Sequence, residues 1–248
     1  MARDWSQTGG GAATDHMNFG DVTYLDGLAA MSAGGWFWWD TTPAGGVNYS
    51  ILRKDGTLTP MQLNGTDGTW NCVLWATSIK VHQGPTFATV GTGAWHHLMA
   101  TWDNARGSVR FYIDGTLNMT STLATSTGTT TNTANALVFS GISSEAYDGK
   151  MAEIAFWNRE LAAEEIAAMG ADAYCPMFTP RGMLLYMPMV RDTVNRVGAS
   201  PTVTQTDVIE HPRVIYPGRV QTFKAPVAAP PAGDAVPQAW AQYRRRFG

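Results

Sequence analysis

Cysteine is almost absent: Cys72 and Cys175 are the only two in 248 residues. They can form one disulfide at most, which excludes the bridged framework by which small secreted domains make up for a thin core. Charge is sparse as well, at 15% of residues. No apolar run approaches the roughly 18 residues of a membrane span, and the strongest, Gly34 to Trp39, is closed by Asp40. The motifs G-x-S-x-G, H-E-x-x-H and C-x-x-C and a phosphate-binding loop are all missing, so no catalytic signature is present. The opening MARDWSQTGGGAATDH lacks the apolar centre of a secretory signal, from which we expect a chain made and kept in the cytoplasm.

What is present is a core-forming composition. Hydrophobic residues make up 44% and aromatics 11%, which excludes an intrinsically disordered chain. The net charge of −3 is uneven: from Lys224 onward four basic residues face one acidic, giving +3 for the tail and −6 for residues 1–223. An acidic body is a poor partner for nucleic acid, whose phosphates require a basic face. Three zones follow. Residues 1–14 read as an arm, residues 15–223 as the folded body, and residues 224–248 as an arm that opens with the Pro/Ala-rich Lys-Ala-Pro-Val-Ala-Ala-Pro-Pro-Ala-Gly.

The body is dominated by a period of two, the mark of half-buried strands. Leu98, Ala100 and Trp102 alternate with His97, Met99 and Thr101, and Val109, Phe111 and Ile113 with Arg110, Tyr112 and Asp114. Asp114-Gly115 predicts a tight turn into Leu117 and Met119. Ala152, Ile154 and Phe156 alternate with Met151, Glu153 and Ala155, which places the first three on one face. One segment is helical in character: Glu160 to Met169 puts Ala162, Ile166 and Met169 on one side and meets Gly170, expected just past the helix end. Many strands and one short helix predict an all-β, two-sheet antiparallel jelly roll.

Three ordered motifs then carry a resemblance. Trp95-His-His-Leu-Met-Ala-Thr-Trp-Asp103, Val109-Arg-Phe-Tyr-Ile-Asp-Gly115, and Gly149 to Leu161 with Glu164-Glu165-Ile166 resemble the signature of laminin-G-like, concanavalin A-like jelly rolls. Asn18-Phe-Gly-Asp21 and Ile51-Leu-Arg-Lys-Asp-Gly56 stand where that family has its opening strand and early hairpin, so the likeness spans about residues 17–210. Where the family has Ser or Thr after the Leu of its "NR.L" motif, this chain has Ala162, which cannot cap the helix. The later segments Tyr174-Cys-Pro176, Leu184 to Pro188, Thr202 to Thr204 and His211-Pro-Arg-Val214 are similar to the closing strands of members encoded by bacteriophages. That fold hosts lectins, adhesion domains, glycosidases and virion modules, so it implies a fold more strongly than a function.

Candidate sites follow from residue chemistry. Retaining glycosidases of this fold hold two carboxylates about 5–5.5 Å apart on one strand face. Glu145, Asp148 and Glu153 do not share a face, and we expect no catalysis from them. His96 and His97 are adjacent on a strand and point to opposite sides, so they do not share a metal; His97 is expected to be a hydrogen-bonded residue of the sheet. The resemblance implies no obligatory cofactor and admits calcium, with Asp21, Asp26, Asp103 and Asn104 as the available ligands. Of the ten tryptophans, Trp36, Trp38, Trp95, Trp102 and Trp157 are expected in the core. Trp39, Trp70 and Trp75 lie in less regular surroundings, where an exposed indole could stack on a sugar or enter a partner. In the C-terminal arm, Trp240, Tyr243 and Phe247 form an aromatic stripe beside Arg244, Arg245 and Arg246, a docking peptide for a neighbouring subunit.

Together these readings lead us to expect a non-enzymatic structural protein of a bacteriophage virion, a capsid decoration or tail-associated component. Its partners would be other virion proteins, further copies of itself and a host-surface glycan, with no membrane or nucleic acid. The alternative is a free carbohydrate-binding or adhesion module, and a glycoside hydrolase stands third.

Overall fold

The computed structural model describes residues 3–4, 16–43, 45–76, 78–123, 128–140, 147–171, 175–189, 194–197, 204–206 and 209–210. All belong to the unit Met1–Val214; Ile215–Gly248 is a second unit. The docking segment Trp240, Tyr243, Arg244, Arg245, Arg246 and Phe247 lies outside the described residues, as does Glu145.

Alternation of apolar and polar residues builds two antiparallel sheets. The strands are β1 (Arg3–Asp4), β2 (His16–Asp21), β3 (Ala30–Trp39), β4 (Asn48–Lys54), β5 (Leu58–Asn64), β6 (Thr69–Trp75), β7 (Ile79–Thr86) and β8 (His96–Asp103). They continue as β9 (Ser108–Ile113), β10 (Thr116–Thr122), β11 (Ala136–Phe139), β12 (Gly149–Trp157), β13 (Met183–Met187), β14 (Thr204–Thr206) and β15 (Ile209–Glu210). One sheet has eight strands in the order β10-β9-β8-β3-β12-β1-β15, with β13 also on β12; the other has seven, β14-β2-β11-β4-β5-β6-β7. This is the expected jelly-roll sandwich. Arg3 and Asp4, within the stretch read as an arm, add a short strand between β12 and β15.

The core lies between the sheets. Phe37 and Trp39 of β3, Leu98, Ala100 and Trp102 of β8 and Ile154 and Phe156 of β12 meet Leu58, Met61 and Leu63 of β5 and Trp70, Cys72 and Leu74 of β6. Both cysteines are free, and Cys72 is buried in this core.

The family motifs prove to be a latch between helix and sheet. Asp114 and Gly115 both have positive φ (49° and 82°), the geometry of a two-residue hairpin turn. Asp114 accepts the backbone N–H of His97 and a bond from His96 Nδ1, each at 2.9 Å. The short helix α1 (Phe87–Val90) precedes β8, and α2 (Ala163–Gly170) lies on the outer side of the eight-stranded sheet. There Ile166 and Met169 pack with Met99, Tyr112, Ala155 and Trp157. Glu160 bridges Arg106 and Arg110, and Ser32 accepts from the Leu161 N–H and donates to the Arg159 carbonyl. Gly170 is the last residue of the helix rather than past its end, and its backbone runs against Gly115, where no Cβ fits.

One face assignment is corrected. Ala152 belongs to an outer cluster with Trp36, while Met151, Ile154 and Phe156 face the core. The cause is a bulge between Ala152 and Ala155 in the pairing with β3, centred on Glu153, whose φ is 56°. One extra residue shifts the alternation by one step.

Candidate functional site

The three tryptophans expected to be available separate. Trp39 and Trp70 are core residues, at 1% and 0% exposure, so neither indole is presented to a ligand. Both stand on strands of the sandwich, Trp39 at the end of β3 and Trp70 in β6. Trp75 is half-buried and points away from the core, since Trp70, Cys72 and Leu74 take the inner positions of β6.

Of the five tryptophans expected in the core, Trp102 lies between the sheets, Trp157 is buried beneath α2 and Trp36 is buried in the outer cluster with Ala152. Trp38 and Trp95 are half-buried on the outer side of the eight-stranded sheet and meet edge to face at 6.2 Å. On this second aromatic surface the polar groups of Trp38, Asp40 and Lys150 meet one another. Trp38 Nε1 donates to Asp40 at 2.8 Å, Lys150 sits 5.1 Å over the Trp38 ring, and Lys150 pairs with Asp40. His97 is buried against Trp36; its backbone N–H donates to Asp114, and its Nδ1 has no hydrogen-bond partner.

The outer side of the seven-stranded sheet differs. Register places Ser50, Gln62, Asn71 and Gln83 directly opposite one another across β4, β5, β6 and β7. The next row on the same face is Asn48, Asn64, Thr69 and Thr86. Trp75, opposite Ile79, and Val73, opposite Val81, extend the face toward the far end of β6. Ile79 and Val81 are exposed. Four residues along β6, Trp75 stands about 13 Å from Asn71.

Hydrogen bonding within these rows is incomplete. Asn71 Oδ1 accepts from the Thr69 hydroxyl at 2.8 Å, but the Asn71 Nδ2 group is buried without a partner. Asn48 Oδ1 is likewise buried without a partner. One is a donor and the other an acceptor, about 12 Å apart by strand spacing and rise. Leaving such groups unmade costs about 1–3 kcal/mol each, and both atoms lie beneath the surface of the face rather than on it. Sequence reading missed these residues. The signal available was that the outward positions of three successive strands hold the amides Gln62, Asn71 and Gln83, a pattern that also fits an ordinary solvated face.

The carboxylates considered for catalysis are occupied separately. Asp148 accepts from the Thr41 hydroxyl at 2.7 Å, and Glu153 accepts from the Tyr186 hydroxyl at 2.5 Å. Burial raises the Glu153 carboxyl above its ordinary range. The candidate calcium ligands also divide. Asp21 and Asp26 both bind the Lys54 ammonium, whereas Asp103 caps the Ala105 N–H and Asn104 accepts the Gly128 N–H. Among the described residues no group of three His, Cys, Asp or Glu side chains converges as a metal site, and no helix is long and apolar enough to cross a membrane.

An antiparallel two-sheet sandwich with one helix on its back and a polar, aromatic-edged outer face on the other sheet is a lectin-type jelly roll in architecture. Residues 9–167 match a laminin-G family described as the concanavalin A-like lectin/glucanases superfamily, and the chain belongs to that superfamily. A comparison with curated proteins finds no match. Among solved structures, the chain is similar to a protein of Bacteroides ovatus provisionally described as carbohydrate binding, at 14% identity and a TM-score of 0.58. The match covers 83% of this chain and only 60% of that one. It is also similar to a heptameric SAP-like pentraxin of Limulus polyphemus, at 14% identity and a TM-score of 0.54, covering 84% of this chain and 93% of the other. At such identities the likeness is one of fold.

Proposed function

We propose that the jelly roll is a non-catalytic carbohydrate-recognition module whose ligand lies on the outer face of the seven-stranded sheet. The observation that carries this reading is the register that lines up rows of neutral amides and hydroxyls, Ser50, Gln62, Asn71 and Gln83 beside Asn48, Asn64, Thr69 and Thr86, on the same face as Trp75. Sugar hydroxyls donate and accept at once. A phosphate only accepts, and an ammonium only donates. Trp75 with Ile79 and Val81 supplies apolar surface for a ring face. The superfamily's lectins and the Bacteroides ovatus relative's description support the same reading.

This reading favours the binding module over the virion protein that the sequence first suggests. The virion setting, with capsid or tail proteins as partners and this module displayed, is a further proposal carried by the resemblance to phage-encoded members. Copurification with a capsid or tail protein at fixed stoichiometry would support it. The recognition claim is tested by a glycan array probed with the intact chain. Binding to a neutral oligosaccharide that is lost in Trp75→Ala and retained in Trp38→Ala is the expected result. An array with no binding, or binding lost only in Trp38→Ala, would overturn the assignment.

A further inference from the structure

Lys54 ends β4 one residue before the Asp55-Gly56 turn, and its side chain is 0% exposed. A buried ammonium must have each of its three N–H bonds satisfied and its charge paired. Here Asp21 Oδ1 accepts at 2.9 Å, Asp26 Oδ1 at 2.8 Å and the Thr133 carbonyl at 2.8 Å. The Thr57 hydroxyl closes the cage, donating to Asp26 at 3.4 Å and lying 2.9 Å from the Thr133 hydroxyl. Four separate segments meet at this point: the end of β2, the turn at Asp26, the β4–β5 hairpin and the loop before β11. Every group around the ammonium presents oxygen, the donor set that hard cations select. Two carboxylates against one ammonium leave the cage one positive charge short of neutrality, which a divalent ion would supply.

We propose that Asp21, Asp26, Thr57 and Thr133 form a cation site whose resident cation is the chain's own Lys54 ammonium, and that the site takes calcium once that ammonium is removed. The fold thereby gains a cross-link between four segments that no chelator can extract. This inference stands on the cage alone and needs no glycan for its test.

The test is thermal melting of the intact chain in EDTA and in millimolar calcium chloride, for the parent, Lys54→Ala, and Lys54→Ala combined with Asp26→Asn. The parent should melt at the same temperature in both solutions. Lys54→Ala should melt lower in EDTA and recover with calcium, and the double variant should lose that recovery. If Lys54→Ala does not fold in EDTA, calcium should restore its cooperative transition. A parent whose melting temperature follows calcium overturns the proposal, because a metal then already occupies the cage. Lys54→Ala that melts equally in both solutions, or stays unfolded in both, overturns it as well.

Discussion

His97 sits at 2% exposure against Trp36, and burial pulls its pKa from 6.5 down to about 4, against a weaker upward pull from Asp114. The fold therefore keeps the ring neutral where the unfolded chain already takes a proton. Above pH 6.5 both states are neutral and nothing is lost. Between pH 6.5 and about 4 the unfolded state binds more protons, so stability falls as pH drops, and below about 4 the loss is complete. Burial shifts His82 in the same direction, whereas the raised Glu153 carboxyl opposes it, so the difference between variants is the informative quantity. Relative to His97→Phe, the parent should lose about 2–3 kcal/mol between pH 7 and pH 4 in urea unfolding. Parallel pH profiles would show that His97 is charged in the fold. At this scale the sequence is least legible. Which of ten tryptophans face a ligand depends on strand phase: Trp70 and Trp75 share β6, yet five positions of alternation put them on opposite sides. The unpaired Asn71 amide is visible only once β5 and β7 flank it.

At the scale of elements, α2 shows how a missing cap is partly replaced. Ala162 is the N-cap and has no side-chain acceptor, but the Glu165 carboxylate accepts the Ala162 N–H at 2.9 Å. Arg159 clamps that carboxylate with two bonds of 2.7 Å and holds it below the ordinary carboxylate range. One half of the reciprocal capping pair is thus in place, and the other half can be added. Ala162→Ser should raise stability by about 1 kcal/mol, read as a higher urea midpoint with unchanged slope. An unchanged or lower midpoint would mean that the start of the helix is already satisfied. Elements were legible where alternation is unbroken, as in β8 and β9, and where the chemistry is local, as at Asp114-Gly115. The phase of β12 was not, because the strained Glu153 bulge is imposed by pairing with β3 and by the Pro188 carbonyl that accepts the Glu153 N–H.

Over the whole molecule the two outer faces divide the work. The eight-stranded sheet spends its outer side on α2 and on a cluster of Trp36, Trp38, Trp95 and Lys150, and there the family motifs act as structure. This is why three strong motifs identified the fold and said little about function. The seven-stranded sheet keeps an outer face of neutral amides and hydroxyls with Trp75 at one end. Its residues belong to no motif, so only the assembled register brings them together. Calorimetric titration of the parent and of Gln83→Ala, the exposed member of the same row, with the oligosaccharide that binds the parent best tests the central claim most directly. The account predicts affinity weaker by about tenfold or more with an unchanged melting temperature, the loss of one hydrogen bond to the ligand. Equal affinity in the two proteins would contradict it and remove the seven-stranded face as the binding surface.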